Sequence, residues 1–525
     1  MNFLRNKIFI IFILASIGLW FIGINDPFVG AYSANLNYFT LAAKNFARIG
    51  YLKLGFVPTY YAGEVSEYVS QPYLHHPVSY FTLVSIPFLI FGFHNWIASI
   101  TPVIFSLFSL IFLYKICKTL WNEKTALLAV FLFSVFPMSA VFNKQTIFEP
   151  AVTAVLLSSY YFYIKYLKSG RWRNLILFFL SSLLSILIDW GGVYFIFPLV
   201  ILFPFLNPNN RSAKAVKIYV LAACLGIMVF ILQVLYWRGG FEDLISAVWV
   251  RQVDSELFSG EYPILRYILT VVFRILIYFT PFSILVLVLL KQHIQEFFKK
   301  KELSLQSYTI FFFLIFGLVN FIILPTATFG HIYFLIYLTP FFSISLSLIL
   351  LTRFGKSDTL IYFIMTLILI LSSVVVYSKW QQVNKQIYKY DAGLKINQQL
   401  KPFQTVAVYE YPGDMLEQYF FHPTVNMTSF IDLIDYLDED LEKDRVAIYS
   451  CWGTCSSEEM EFISNIHYHK IQFAKDIWLI TSDIQDVSLY DSQNKAAIEE
   501  NSLESATSFI NYYRYIRDFL RVGQL

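Results

Sequence analysis

Eleven apolar runs of roughly 15 to 27 residues dominate this chain, at about 8–24, 98–116, 125–142, 151–167, 174–188, 191–206, 216–236, 264–290, 308–324, 331–350 and 359–378. Runs of that length match the hydrocarbon thickness of a bilayer, in which a helix satisfies its own backbone polar groups. They predict an all-α polytopic membrane protein with about eleven transmembrane helices. The composition agrees: 57% of the 525 residues are hydrophobic and 14% are charged, against about 25% charged in a soluble domain. The first run follows Arg5 and Lys7 like a signal peptide, but it is long and no small-residue cleavage site precedes Asp26, so it reads as an uncleaved span.

A twelfth run, 78–93, is short and begins just after Pro77. Charge decides how to treat it. If it lies on the membrane surface, 18 of the 26 Lys and Arg residues before position 379 fall at one face, among them Lys118, Lys168, Arg211 and Lys300. If it crosses, every later loop changes side and most of those residues face outward, against the positive-inside rule. A surface or re-entrant helix over 78–93 is therefore expected, with an extracytoplasmic C-terminus and a location in the plasma (inner) membrane. The outer side then holds a first loop (25–97), a second (143–150), a middle loop (237–263) and the tail. Basic residues are scattered among short loops, with no tract suited to nucleic acid.

Two domains follow: a membrane domain over 1–378 and an extracytoplasmic domain over 379–525. The second carries 13 basic and 22 acidic residues. Its β-type runs, starting at Thr405, Arg445 and Asp476, alternate with helical stretches at 414–421, 430–442 and 456–465, which predicts a small α/β domain with a mostly parallel sheet. Cys451 and Cys455 stand there as Cys-Trp-Gly-Thr-Cys; a disulfide is open to them outside the cytoplasm, and His467 and His469 keep zinc as a minor alternative.

Candidate site residues cluster at the outer helix ends. Asp26 follows the first span in Ile-Asn-Asp-Pro-Phe, where a carboxylate at the water boundary stays ionised and can accept a proton or bind a cation. An Asp-Pro pair also starts helices. Glu149-Pro150 opens the fourth span at the same depth, and there too a helix start is the plainer reading. His75 and His76 precede Pro77 and the surface helix, and Asp189 lies in the outer turn Ile-Asp-Trp-Gly-Gly. Cations for a phosphate group are offered by Arg238, Arg251, Arg266, Lys144 and His331, while Arg274 sits inside an apolar run. Asp26 and Glu149 are also the candidate ligands for a divalent cation, Mg or Mn; no other cofactor is implied.

This layout resembles the GT-C glycosyltransferases. The residues that carry the resemblance are Asn25-Asp-Pro-Phe, Ala42-Ala-Lys-Asn-Phe-Ala-Arg-Ile-Gly50, His75-His-Pro-Val-Ser-Tyr-Phe, Phe136-Pro-Met, Glu149-Pro and Gly330-His-Ile-Tyr-Phe. They are most similar to the group of dolichyl-phosphate-mannose–protein mannosyltransferases and aminoarabinose transferases (glycosyltransferase family 39 and its bacterial relatives). This chain has Asp-Pro where members often have Asp-Glu, and His-Pro-Val where His-Pro-Pro is usual. The resemblance implies inverting transfer of a sugar from a polyprenyl-phosphate donor to a lipid, glycan or protein acceptor on the extracytoplasmic side. Asp26 then takes the place of the first-loop acid and Glu149 of the second-loop acid. The other classes open to the sequence are a transporter or flippase of lipid-linked glycans, for which no inverted repeat is visible, and a non-catalytic envelope assembly protein.

Overall fold

A computed structural model describes residues 7–481 except 30–32, 64–71, 207–209, 237–239, 254–262, 301–302, 356, 403, 410–412, 421, 428–432, 434–435, 438–445, 451–462, 464–468 and 475. Every expected apolar run is helical. Among the described residues, five helices are long and apolar enough to cross a membrane: Asn95–Leu120, Arg211–Tyr236, Leu305–Ile323, Ile332–Phe354 and Asp358–Asn397. A sixth candidate is the pair Pro263–Tyr278 and Pro281–Gln295, bent by 113°. The break falls where Pro281 cannot continue the helix and Thr280 adopts a left-handed φ of 64°. The run at 125–142 is likewise split at Phe136 by Pro137.

Local sequence sets the helix ends that matter for the site. Helix α1 (Lys7–Gly18) passes into a 3-10 turn at Leu19–Phe21. In the first loop, α2 spans Ser33–Ile49 and α3 spans Ser79–Phe91. At about 1.5 Å per residue α3 is roughly 20 Å long, too short for a hydrocarbon core of about 30 Å. It buries Tyr80, Phe81, Val84 and Phe88 and exposes Ile86, Leu89, Ile90 and Phe91. Helix α4 (Asn95–Leu120) follows. Helix α5 (Glu149–Ser169) starts with an acid and a proline in its first turn, as the helix dipole and the missing proline N–H favour, and ends at Gly170 with a left-handed φ of 66°. Helix α6 (Trp172–Ile188) stops at Asp189.

The side-chain bonds sort the loops into two ends. At one end Asn95 Nδ2 donates to the Asn25 carbonyl (3.3 Å), Lys144 Nζ to the Ile22 carbonyl and Trp380 Nε1 to Asp26 Oδ2 (2.9 Å). Residues 25 and 95, the two ends of the first loop, thus lie together. At the other end Lys168 Nζ donates to Thr119 O (2.8 Å), Arg211 Nη1 to Leu167 O (3.0 Å) and Gln306 Nε2 to Leu120 O (3.0 Å). The basic loops meet there.

The last apolar helix, α7 (Asp358–Asn384), runs past residue 378 into the tail, followed by α8 (Ile387–Asn397) and α9 (Gly413–Phe420). Strands β1 (Val406–Tyr409), β2 (Thr424–Asn426), β3 (Val446–Ser450), β4 (His469–Ala474) and β5 (Ile477–Thr481) form one sheet in the order β2-β1-β3-β5-β4. The sheet is mixed, where a mostly parallel one was expected. Strands β2, β1 and β3 are parallel, but β4 and β5 are joined by a tight connection that only an antiparallel pair allows, and β5 pairs antiparallel with β3. Cys451, Cys455 and His467 lie outside the described residues.

The tail packs on the first loop. Lys44 Nζ of α2 donates to the Gln418 carbonyl of α9 (2.9 Å) and lies 5.1 Å from the Tyr419 ring, with Phe88 and Phe93 also near it. Burial pushes this ammonium down to about 7. An unfolded lysine keeps its proton up to about 10.5, so between these values the unfolded chain binds more protons and stability rises with pH. The melting temperature of the detergent-solubilised protein is therefore expected to climb from pH 7 to pH 9, on the order of 1 kcal/mol per pH unit at most. Lys44→Met should flatten that rise; an unchanged slope in the variant refutes the assignment.

Candidate active site

Asp26 sits in the irregular stretch after the Leu19–Phe21 turn, its N–H bonded to the Gly23 carbonyl at 3.2 Å. Gly23 has a φ of +69°, and a Cβ there would collide with the Asp26 carboxylate and the Trp380 ring, so glycine is needed for both conformation and space. Asp26 Oδ2 accepts the bond from the Trp380 indole. Lys144 lies close enough to feel the Asp26 charge. Burial pushes its ammonium down to about 8, and Asp26 acts in the opposite direction.

Glu149 is 3% exposed, and its charge acts on the hydroxyls of Tyr80 and Tyr337. Burial, then that charge, push the Tyr80 phenol well above its usual value, so it remains a hydrogen-bond donor. Tyr337 also feels Asp189. Asp189 Oδ1 is 2.5 Å from His76 Nδ1, and both side chains are largely buried. Burial alone would raise the Asp189 carboxyl; the His76 charge and hydrogen bond, with the Gly191 and Trp190 N–H groups, outweigh it and hold the carboxyl below its ordinary range. The His76 ring stacks on Phe148 at 4.3 Å, and the His75 carbonyl accepts from Trp190 Nε1 (2.8 Å). A Cβ on Gly192 would strike the Ser185 and Ile186 backbone, which explains the glycine in this turn.

The short second loop joins these groups. Lys144 faces Asp26, Phe148 stacks on His76, and Glu149 follows at once. A third group stands on the segment from Pro325 to Gly330 and the turn after it. His331 stacks on Tyr333 (5.1 Å), whose hydroxyl accepts from Asn35 Nδ2 (3.3 Å). Arg266 and Arg274 both lie over the Phe329 ring, at 5.3 and 5.8 Å, and Arg274 Nη1 donates to Thr328 O (3.0 Å). Arg274, inside an apolar helix, thereby has a backbone partner on the segment Pro325–Gly330. Arg238 lies outside the described residues; Arg251 is in the helix Gly240–Val253, but its side chain lies outside them too.

Asp26 Oδ2 accepts an indole N–H and its charge reaches Lys144, while the Glu149 charge reaches the Tyr80 and Tyr337 hydroxyls; none of these neighbours supplies an anionic oxygen ligand. Among the described residues no three His, Cys, Asp or Glu side chains group closely enough to hold a metal. The residues that sequence reasoning passed over are Trp380, Tyr80, Tyr337 and Tyr419.

Residues 75–237 match the family model of the dolichyl-phosphate-mannose-protein mannosyltransferases, a stretch that contains His75, His76, Lys144, Glu149 and Asp189 but not Asp26. No curated protein sequence matches the chain. The fold is similar to that of ArnT from Cupriavidus metallidurans. The TM-score is 0.63 for ArnT bound to undecaprenyl phosphate, at 10% identity over 91% of this chain and 98% of that one. For apo ArnT it is 0.61, at 10% identity over 90% and 97%. The apo oligosaccharyltransferase of Archaeoglobus fulgidus gives 0.48, at 13% identity over 84% and 69%. The ArnT likeness shows the fold: an integral membrane helical domain with a small C-terminal sheet.

Proposed function

We propose that this protein is a membrane glycosyltransferase that moves a hexosyl or pentosyl group from a polyprenyl-phosphate donor to an acceptor hydroxyl, with inversion, at the extracytoplasmic face of the plasma membrane. The observation that carries this reading is the second loop, whose Lys144 bonds the Ile22 carbonyl just before Asp26 and whose Phe148, next to Glu149, stacks on His76 of the His76–Asp189 pair. The ArnT fold similarity and the mannosyltransferase match support it, and ArnT itself is a protein that binds undecaprenyl phosphate. In the proposed step Asp26 takes the proton of the acceptor hydroxyl, whose oxygen attacks the anomeric carbon. The carbon–oxygen bond to phosphate breaks, and polyprenyl phosphate leaves with the electron pair. Lys144 offsets its growing negative charge, while Arg266 and Arg274 hold the phosphate equally in the bound donor and the transition state. Glu149 and the Tyr80 phenol orient the acceptor.

The test is to incubate purified protein with a panel of undecaprenyl-phosphate-linked hexoses and pentoses and to follow released undecaprenyl phosphate. Turnover of at least one donor is expected; no turnover with any of them contradicts the reading. Arg266→Ala and Arg274→Ala should each raise KM for the donor about tenfold with little change in kcat, the sign of lost phosphate binding. An unchanged KM in both variants removes them from the donor site.

A further inference from the structure

The tail domain is not a separate appendage. Two of its contacts converge on the short stretch that carries Asp26, and a third holds the neighbouring α2. Trp380, at the outer end of α7, donates its indole N–H to Asp26 Oδ2 at 2.9 Å. The Tyr419 hydroxyl, on α9, accepts the N–H of Phe28, two residues along from Asp26, at 2.8 Å. Its ring also covers Lys44, whose ammonium bonds the neighbouring Gln418 carbonyl. Asp26 itself lies in no regular element, so its own backbone does little to fix the carboxylate. A proton acceptor must be held in place, because a displacement of about 1 Å can cost on the order of a hundredfold in rate.

We propose that Trp380 and Tyr419 are positioning residues for Asp26, and that the tail domain completes the active site by pinning residues 26–28 from outside. Trp380 occupies Oδ2 and so directs Oδ1 to take the acceptor proton. Tyr419 fixes the backbone that follows. This rests on the reading of Asp26 as the base.

The test combines a measurement that needs no substrate with one that does. Carbodiimide coupling of glycinamide to Asp26, followed by mass spectrometry, should be several-fold faster in Trp380→Phe and Tyr419→Phe than in the wild-type protein; equal rates in both variants overturn the proposal. With the undecaprenyl-phosphate sugar that the wild-type protein turns over, Trp380→Phe should lower kcat about ten- to a hundredfold with KM unchanged. Trp380→His, which keeps a ring N–H, should recover part of the loss. In an Asp26→Asn background Trp380→Phe should cost nothing further, because the two act as one unit. An additive loss means a general folding defect and overturns the proposal. An active Asp26→Asn protein with altered labelling in Trp380→Phe would instead sink the base assignment and leave the docking intact.

Discussion

Asp26→Asn is expected to lower sugar transfer by about 10²- to 10⁴-fold, the range that a positioned general base contributes, while the protein folds and melts as the wild type does. The substitution suits the question because it changes so little else. An asparagine carbonyl can still accept the Trp380 indole N–H that Asp26 Oδ2 accepts at 2.9 Å. The space left by Gly23 is also unchanged. What disappears is the ability to take a proton, together with the negative charge that favours the Lys144 ammonium. Transfer assays on purified protein, with a melting curve on the same sample, check it. Activity within a few-fold of wild type, in a folded variant, removes Asp26 from the chemistry.

The second large effect is on stability. Asp189→Ala should destabilise the protein by about 1–3 kcal/mol, because it leaves the buried His76 Nδ1 without its hydrogen-bond partner. His76 and Asp189 are 2.5 Å apart with side-chain exposures of 14% and 6%, so water replaces little of the lost interaction. The Gly191 N–H loses its acceptor in the same substitution. This pair ties the start of α3 to the turn after α6, two stretches 113 residues apart. The pH dependence follows from the depressed Asp189 carboxyl. Its contribution is complete above the unfolded value of 3.8 and is lost as pH falls through the lower folded value. Denaturation curves should show the wild-type protein losing stability below about pH 4 through this group, and Asp189→Ala lacking that component. Equal stability of the two proteins at neutral pH would show that the pair does not hold the first loop.

Both predictions use residues that stand out in the amino-acid sequence alone. Asp26, Glu149, His76 and Asp189 each stand where an apolar run ends, and the lysine and arginine bias puts those ends on one face. The bonds from Asn95 to Asn25 and from Trp380 to Asp26 meet at that face. Local pattern does not reveal which residues complete the cluster. Trp380 is 354 positions from Asp26, and aromatic residues make up 19% of the chain, so one more tryptophan near a helix end carries no signal. The same holds for Tyr80 and Tyr337, whose value lies in the carboxylates they face rather than in any local pattern. Arg266 and Arg274 are visible as charges, but their shared ring, Phe329, comes from a segment folded back between two helices. In the tail, the strands at 406–409, 446–450 and 477–481 announce themselves by β-branched and aromatic runs. Strand β4, His-Lys-Ile-Gln-Phe-Ala, alternates polar and apolar residues instead of forming a continuous apolar run, and without it the antiparallel half of the sheet is invisible.

In the proposed reaction the acceptor oxygen displaces the phosphate directly at the anomeric carbon, with Asp26 removing the acceptor proton. Proton NMR of the first-formed product, made by the wild-type protein from an undecaprenyl-phosphate sugar of known anomeric configuration, tests it most directly. A glycoside of the opposite configuration is expected, formed one for one with undecaprenyl phosphate. A product that keeps the donor's configuration would contradict it.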